Sequence, residues 1–325
     1  MKKYLVTGGA GFIGSNFINI LYKKLCNAGE PFEIHCIDKL TYAGDINFIE
    51  DAVRNSGRFF LHQVDIVSSE VSDIFRMHSF ASGVHFAAES HVDRSIEEPA
   101  VFIETNVLGT ANLLEAWRNT QGARFVAVGT DEVYGSLDVG FAKEDTHLNP
   151  SSPYSASKTS ADLIALSYKK TYQMDVVVTR CTNNYGPNQN SEKFIPKMIQ
   201  NLKTNQELPV YGNGKNSREW IHVSDHVEAI LKLLETEYLS HSIYNIGSGL
   251  ELSNLQLIEA LRKIAADSKS EINFVQDRPA HDFRYALDST RIKEEIGWKP
   301  RISFEEGLAN LYRLKLEKNL RLTNL

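Results

Sequence analysis

The sequence predicts an α/β fold in which a doubly wound parallel sheet is joined to a smaller mixed α/β region. Over the first half of the chain, short apolar runs alternate with amphipathic stretches of helical length, as in a parallel sheet with helices on both faces. The first apolar run leads directly into a glycine-rich turn, Gly8 to Gly14, and a helical stretch follows. A strand, a glycine-rich turn and a helix in that order are typical of the Rossmann fold.

The elements follow from the same alternation. The predicted strands of the sheet are residues 2–7, 32–37, 58–64, 83–88, 123–128 and 175–181, with helices at 15–25, 101–117 and 155–172. After about residue 183 the alternation loosens into loops (183–190, 212–217), short strands (210–211, 243–246, 272–275) and further helices (255–267, 304–316). We therefore predict a dinucleotide-binding domain over residues 1–182, which also carries the catalytic residues, and a substrate-binding region over residues 183–325, interleaved with the first.

The glycine-rich turn predicts a site for a dinucleotide. Gly8 permits the tight turn, Gly11 lets the backbone approach a pyrophosphate, and Gly14 lets the following helix pack closely on the strand. The phosphates would then lie at the N-terminus of that helix. Asp38 ends the second strand, where a carboxylate accepts hydrogen bonds from a ribose and repels a 2′-phosphate. The Asp38 carboxylate therefore favours NAD over NADP, although the positive charge of the neighbouring Lys39 would attract a 2′-phosphate.

Tyr154 and Lys158 form a candidate redox pair. Residues four apart share one face of a helix, so the Lys158 ammonium is expected under the Tyr154 phenol. A phenol titrates near 10, and a unit charge at about 4 Å supplies roughly the 4 kcal/mol that a shift of about 3 pKa units requires. A positively charged nicotinamide would add to this effect, so the lysine and an oxidised cofactor together are expected to suffice. Many helices contain this spacing by chance, so the pair gains weight only from the glycine-rich turn and the acids described next.

Thr130, Asp131 and Glu132 place two carboxyl groups beside a hydroxyl. Such a pair suits acid–base elimination if the two carboxyl groups hold different pKa values. Consecutive strand residues point to opposite faces, so the three side chains converge only if the strand has ended by Gly129. An isolated Asp-Glu pair is more often a solvated helix start; the Tyr154/Lys158 pair and the glycine-rich turn reverse that preference.

Composition excludes several classes of protein. A hydrophobic content of 42% in 325 residues supports a sizeable core, and the net charge of −6 argues against nucleic acid or an anionic membrane as partner. The three cysteines, Cys26, Cys36 and Cys181, are scattered, and no His cluster stands at metal spacing, so neither a disulfide framework nor a metal site is expected. The apolar run near the N-terminus is too short for a signal peptide or a membrane span, and we expect a cytoplasmic protein.

Motifs along nearly the whole chain carry a family resemblance. The chain contains TGGAGFIG (7–14), AAESHVD (87–93), TN (105–106), the Tyr154/Lys158 pair and NNYGP (183–187). Together they resemble the extended short-chain dehydrogenase/reductase family of nucleotide-sugar enzymes. TDEVYG (130–135), REWIHV (218–223) and DRPAHD (277–282) resemble the group of dTDP-glucose 4,6-dehydratases within it. Ala280 stands where these dehydratases often have Gly.

The adjacent acids discriminate within that family. Its epimerases usually lack them at this place, and GDP-mannose dehydratases generally carry the Glu without the preceding Asp. The resemblance implies that Tyr154 takes the proton of the sugar 4-hydroxyl while NAD accepts hydride from C4, and that Thr130 bonds the 4-keto oxygen. Glu132 then removes the C5 proton, Asp131 protonates the departing C6 hydroxyl, and hydride returns to C6.

The resemblance also implies binding residues. Cofactor contacts are expected from Gly8, Gly11, Phe12, Ile13, Gly14, Asp38, Lys39, Leu40, Thr41, Asp65, Ile66, Ala87, Ala88, Thr105, Tyr154, Lys158 and Asn184. Substrate contacts are expected from Ser90, Thr130, Asn183, Glu192, Lys193, Pro209, Val210, Tyr211, Arg218, Asn254, Arg278 and His281. Helices 101–117 and 155–172 resemble those that pair in homodimers of this superfamily, although their apolar residues would equally fit packing on the sheet.

Two other functions stay open at this point. A dehydratase acting on a UDP- or CDP-sugar, or a nucleotide-sugar 4-epimerase, would share the cofactor motifs, because spacing does not show which base the pocket accepts. A non-catalytic NAD-binding regulatory protein would share the fold, but it would have no chemical need for Thr130, Tyr154 and Lys158.

Overall fold

The structure is a computed structural model that describes residues 1–119, 124–277 and 279–322; for residues 315–322 it describes the backbone only. Its strands are β1 (Lys2–Thr7), β2 (Phe32–Ile37), β3 (Phe59–His62), β4 (Ser82–His85), β5 (Phe125–Thr130), β6 (Val176–Cys181), β7 (Asn183–Tyr185), β8 (Leu208–Tyr211), β9 (Ser217–His222), β10 (Ile243–Ile246), β11 (Glu251–Ser253) and β12 (Ile272–Val275).

The helices alternate with these strands. They are α1 (Phe12–Ala28), α2 (Asp51–Arg54), α3 (Glu70–Met77), α4 (Val92–Glu97), α5 (Pro99–Phe102), α6 (Gly109–Arg118), α7 (Pro153–Tyr172), α8 (Phe194–Thr204), α9 (Val223–Glu235), α10 (Asn254–Ile264), α11 (Thr290–Ile296) and α12 (Phe304–Leu322). Short 3₁₀ turns cover Ile46–Phe48 and Asp131–Tyr134, and a π-helical turn covers Ile103–Leu108 between α5 and α6.

The main sheet has seven parallel strands in the order β10-β6-β5-β4-β1-β2-β3. The chain therefore winds outward from β1 in both directions, which confirms the predicted doubly wound α/β fold. One apolar cluster joins α1 and α9 to one face through residues such as Phe17 and Ile230. Another joins α3, α6 and α7 to the opposite face through residues such as Phe75 and Trp117. Both faces are covered, so every residue of β5 and β6 is buried.

The second half of the chain forms two small sheets, β11-β9-β7 and β12-β8, around a core of their own. It also returns to the first half, because β10 completes the main sheet beside β6. The division at residue 182 stays a prediction. The interval 183–190, predicted as a loop, contains β7, and β9 begins at Ser217, where the second predicted loop ends. A strand of three residues has too little periodicity to be detected from sequence.

Three boundaries matter for the site. β4 ends at His85 rather than at residue 88, which releases Phe86 to Ser90 as a loop at the carboxyl edge of the sheet. β5 continues through Thr130, two residues beyond the predicted end at residue 128, and the 3₁₀ turn starts at Asp131. The predicted helix at 101–117 is interrupted by the π-helical turn. None of the described helices combines the length and apolar character that crossing a bilayer requires.

Candidate active site

The glycine-rich turn packs as its residue pattern predicts. Gly8 has φ +68°, and a Cβ there would lie 2.5 Å from the Ala87 backbone nitrogen in the loop after β4. A Cβ on Gly14 would collide with the Gly8 carbonyl oxygen. Side chains are therefore excluded from both positions, and the backbone amides at the start of α1 border an open cavity.

Asp38 is oriented by two backbone amides at the end of β2. Its carboxylate accepts hydrogen bonds from the amides of Ala10 and Leu40, each at 2.9 Å. A carboxylate has about four acceptor positions, so capacity remains for ribose hydroxyls. The neighbouring Lys39 ammonium lies 3.0 Å from the Asp65 carboxylate. That ion pair neutralises the one cation that would have favoured a 2′-phosphate.

One continuous cavity runs along the carboxyl edge of the sheet from the glycine-rich turn to Tyr154. All the predicted cofactor residues except Leu40 line it: Gly8, Gly11, Phe12, Ile13, Gly14, Asp38, Lys39, Thr41, Asp65, Ile66, Ala87, Ala88, Thr105, Tyr154, Lys158 and Asn184. Of the predicted substrate residues, Ser90, Thr130, Asn183, Glu192 and Lys193 line the same cavity. The structure thus brings part of the predicted substrate site together with the predicted cofactor site and the predicted catalytic residues.

Tyr154 and Lys158 lie in the first turns of α7, which begins with Ser152 as N-cap and Pro153 at its first position. The Lys158 ammonium donates a 2.7 Å hydrogen bond to the Val128 carbonyl oxygen of β5. Burial lowers the pKa of Lys158, against the influence of the Asp162 and Cys181 side chains. The helix therefore fixes the lysine against the sheet beneath the cavity.

The pKa of Tyr154 departs from the sequence expectation. Burial, followed by the negative charge of Glu132, raises the pKa of this phenol well above its ordinary value, and a hydrogen bond with Thr130 opposes the rise. A lowering by Lys158 is not seen; burial is the largest influence on this pKa, and the Lys158 ammonium is bonded to the Val128 carbonyl oxygen. A positive charge bound beside Tyr154 would lower the pKa of the phenol.

Asp131 is buried with half of its carboxyl group unsatisfied. Its Oδ1 accepts a hydrogen bond from the Thr130 hydroxyl at 3.2 Å, whereas the buried Oδ2 has no partner. Burial, then the charges of Glu132 and Glu219, raise the pKa of Asp131 well above its ordinary value. A protonated carboxyl group is the form that this environment favours.

The turn at the end of β5 brings the three predicted residues to one cavity. Thr130 is the last strand residue and the N-cap of the 3₁₀ turn, and its hydroxyl accepts from the Glu132 amide at 3.3 Å. Thr130, Asp131 and Glu132 all line the cavity with Tyr154. Convergence is confirmed, although the strand ends one residue later than expected. The alternative of a solvated helix start is wrong for Asp131, which is 3% exposed.

The other predicted substrate residues that the structure describes do not line this cavity. Arg218 is buried, donates to the Ser217 and Asp282 carbonyl oxygens at 2.8 and 2.9 Å, and stacks over Tyr285. Pro209, Val210 and Tyr211 form β8, and the Tyr211 ring contacts His281. Asn254 begins α10. Arg278 lies outside the described residues. The assignment of these residues to the substrate stays a prediction.

Sequence reasoning missed part of the cavity wall. Cys181 at the end of β6 and the segment Tyr42–Gly44 after β2 line it. Asn106 in the π-helical turn bonds both backbone groups of Glu89 and the Ser157 hydroxyl, which ties the loop after β4 to α7. The sequence signal that could have identified Cys181 is its position at the end of an apolar run, where a parallel strand reaches the carboxyl edge of the sheet.

Comparison with known proteins agrees with this geometry. A family model described as GDP-mannose 4,6 dehydratase matches residues 5–311. The chain belongs to this family. Among its relatives, a dTDP-glucose 4,6-dehydratase of Streptomyces niveus is 45% identical over 94% of this chain and 90% of its own, and one of Streptomyces griseus is 46% identical over 94% and 91%.

Solved structures of dehydratases and epimerases show which of the two groups this chain resembles more. The structure of DesIV, a dTDP-glucose 4,6-dehydratase from Streptomyces venezuelae with NAD and TYD bound, is similar with a TM-score of 0.90 and 43% identity over 97% of each chain. The UDP-glucuronic acid 4-epimerase of Bacillus cereus has a similar fold, with a TM-score of 0.89, but 25% identity over 97% of this chain and 99% of its own. The dehydratases of this family are thus the nearer group of the two.

Proposed function

We propose that this protein is an NAD-dependent dTDP-glucose 4,6-dehydratase, a hydro-lyase that converts dTDP-glucose to dTDP-4-keto-6-deoxyglucose and water. The observation that carries this function is the buried, unsatisfied Asp131 carboxyl beside Glu132 in the cavity that also contains Tyr154. An oxidoreductase or epimerase needs only the tyrosine and lysine. A second acid, kept protonated, is what elimination of water requires.

The cavity fits NAD. Gly8 and Gly14 permit the close backbone packing that brings the start of α1 to the cavity, where the pyrophosphate would bind; Asp38 would bind the ribose, and Lys39 is neutralised by Asp65. When bound, NAD supplies hydride acceptance from sugar C4 and hydride return to C6. The positive charge of its nicotinamide would also lower the raised pKa of Tyr154. The dehydratase DesIV, which is 43% identical, was solved with NAD bound.

In the oxidation step the Tyr154 oxygen receives the proton of the sugar 4-hydroxyl. The Thr130 hydroxyl, bonded to Tyr154 and Asp131, is placed to orient the oxygen at C4. Lys158, held by Val128, keeps its ammonium under the site, where two N–H groups remain to bind ribose or the phenol. The 4-keto group that results makes the C5 proton acidic.

In the elimination step the two neighbouring acids act in opposite directions. Glu132 removes the proton from C5, and Asp131 gives its proton to the leaving C6 hydroxyl, so that water departs without forming hydroxide in a buried site. Reprotonation of C5 by Glu132 completes the sequence. Opposite roles for adjacent carboxyl groups require unlike pKa values, and the burial that raises the pKa of Asp131 supports that division.

The test is the mass of dTDP-glucose after incubation with the purified protein and NAD. We expect a product lighter by one water with no net accumulation of NADH. Parallel incubations with UDP-glucose and CDP-glucose test the choice of base. An isobaric product identified as the C4 epimer would support the alternative, an epimerase, and recovery of all three substrates unchanged would refute the proposal.

We further propose that the protein is a homodimer that works in the cytoplasm. Large apolar side chains lie exposed on α5, the π-helical turn and α7, among them Val101, Ile103, Leu108, Leu163 and Tyr172. A second copy of the chain would cover this surface.

The cysteines support the proposed location in the cytoplasm. Cys26, Cys36 and Cys181 are free thiols, as a reducing compartment maintains them. A monomeric mass by light scattering would refute the dimer, and fractionation of cells tests the location.

A further inference from the structure

Three histidines meet at the edge of the main sheet, away from the proposed catalytic residues. His35 is in β2, His62 ends the edge strand β3, and His78 follows α3. One ring nitrogen from each lies within 4.8 Å of the other two. His35 Nδ1 and His62 Nε2 share a hydrogen bond of 3.0 Å, which a bound ion would replace. The sequence gives no metal-binding spacing here, because the ligands come from three segments that only the fold joins.

The surroundings of His35 orient it as a metal ligand. Its Nε2 lies 3.1 Å from a Glu33 oxygen, and the Lys3 ammonium holds that carboxylate at 3.0 Å. A carboxylate only accepts hydrogen bonds, so the proton of His35 is on Nε2. The lone pair on Nδ1 therefore faces His62. A carboxylate behind a histidine is the outer-shell arrangement that accompanies metal-bound imidazole.

The other two histidines are accessible from solvent. His35 is buried, whereas His62 and His78 are partly exposed, so an ion has access from solvent. Around a tetrahedral ion with Zn–N bonds of about 2.0–2.1 Å, ligand nitrogens stand about 3.3 Å apart. The His35/His62 pair is within a few tenths of an ångström of that value, and any other pair needs to close by at most about 1.5 Å.

We propose that His35, His62 and His78 bind a divalent transition-metal ion, best matched by Zn²⁺, with water as the fourth ligand. Three imidazoles suit Zn²⁺, Ni²⁺ or Cu²⁺, whereas Mg²⁺ and Ca²⁺ prefer oxygen ligands. The Lys3 ammonium, 3.3 Å from His78 Nδ1, opposes a second cation and Glu33 offsets it. We therefore expect affinity in the micromolar range rather than that of a closed structural zinc site.

The ion would brace the strand ends that carry the ribose-binding residue. The His62 carbonyl oxygen accepts a 3.1 Å hydrogen bond from the Asp38 amide. A ligand bridge from β2 to β3 and to the segment after α3 restrains that contact without touching the cavity. The competing account is an aromatic cluster, because the His35 ring also stacks on Phe60 at 5.0 Å and meets Phe80 edge-on at 5.4 Å.

The test is a titration of the untagged, chelator-treated protein with Co²⁺, without substrate. Tetrahedral coordination by three histidines gives strong visible absorption, which aqueous Co²⁺ lacks. We expect saturation at one ion per chain and loss of the band when Zn²⁺ displaces it. His78→Gln should weaken binding at least tenfold. His147→Gln, at an exposed histidine elsewhere on the chain, is the matched control and should bind as the parent does.

Two results would overturn the site. One is equal affinity in the parent and His78→Gln, and the other is a charge-transfer band from sulfur, which would place the ion at a cysteine. A second measurement guards against a misfolded variant: Zn²⁺ should raise the melting temperature of the parent and of His147→Gln, but not that of His78→Gln. An equal rise in all three proteins would also refute the proposal.

Discussion

Two buried aspartates near the Tyr154/Lys158 pair, one within α7 and one in the turn after β5, are treated in opposite ways. Asp162, one turn after Lys158, pairs with Arg180 at 2.9 Å, and both side chains are about 2–3% exposed. Arg180 also donates to the Tyr134 hydroxyl, which bonds Asn245. Asp131 is equally buried but has one oxygen without a partner. The same residue type is thus satisfied within α7 and left unsatisfied in the turn after β5.

The difference separates structural from catalytic burial. Removing one partner of a buried ion pair leaves a charge without compensation, so Asp162 is needed for stability. Burial of Asp131 opposes stability, and a fold keeps such a group only where its protonation state is useful. The same Asp→Asn substitution should therefore lower activity without lowering stability at Asp131, and should lower stability at Asp162.

The largest expected effect is on activity at Asp131. Asp131→Asn removes the proton donor for the C6 hydroxyl, so dehydration of dTDP-glucose should fall about 10²- to 10⁴-fold. Exchange of the C5 hydrogen with deuterium from solvent should persist, because Tyr154 and Glu132 remain. Mass spectrometry of the recovered sugar nucleotide measures both. Glu132→Gln is the matched control and should lose both reactions; dehydration by Asp131→Asn within about tenfold of the parent would contradict the acid role.

The second effect is on stability at Asp162. Asp162→Asn leaves the Arg180 guanidinium buried without its carboxylate, and the free energy of unfolding should fall by roughly 3–5 kcal/mol. Urea denaturation followed by circular dichroism measures this change. Asp131→Asn, in the turn after β5, is the control and should cost no stability. If the two substitutions destabilise the protein equally, the comparison fails.

The third effect is a difference in pH dependence. The native pKa of Asp131 is raised above its unfolded value of 3.8, so the native state binds the extra proton. Stability from this group is greatest below about pH 4 and is lost as the pH rises toward the native pKa, by up to about 1.4 kcal/mol per pH unit. The stabilisation of Asp131→Asn over the parent should therefore grow from pH 4 upward. Melting temperatures across that range that differ by a constant amount would contradict the raised pKa.

The smallest effect concerns an ion pair that is neither buried nor fully exposed. Lys39 and Asp65 are 35% and 33% exposed, and such pairs contribute about 1 kcal/mol or less. Asp65→Asn frees the ammonium beside the ribose position, so the affinity for NADP relative to NAD should rise several-fold. Calorimetric titration of cofactor-free protein measures the ratio. Adding Lys39→Met to Asp65→Asn should return the ratio of NADP affinity to NAD affinity to that of the parent. If the ratio stays raised in the double variant, the change comes from the loss of Asp65 alone.

The sequence by itself determined the parts of the site that are local. The turn from Gly8 to Gly14, Asp38 at a strand end, and Tyr154 with Lys158 on one helix face each depend on residues close in the chain. Backbone sterics and helix periodicity act over a few residues, so their spacing is informative without the fold. The parallel sheet followed from the same periodicity, and so did the cavity at its carboxyl edge.

Only the tertiary structure decided how the polar groups are satisfied. It directs the Arg218 guanidinium to backbone carbonyls of the 282–283 segment, removes Asp131 from water, and gathers His35, His62 and His78 from three segments. Burial also raises the pKa of Tyr154, an effect that the Tyr154/Lys158 spacing does not contain. Desolvation and long-range hydrogen bonding depend on every segment packed around a group, and a linear pattern does not contain them.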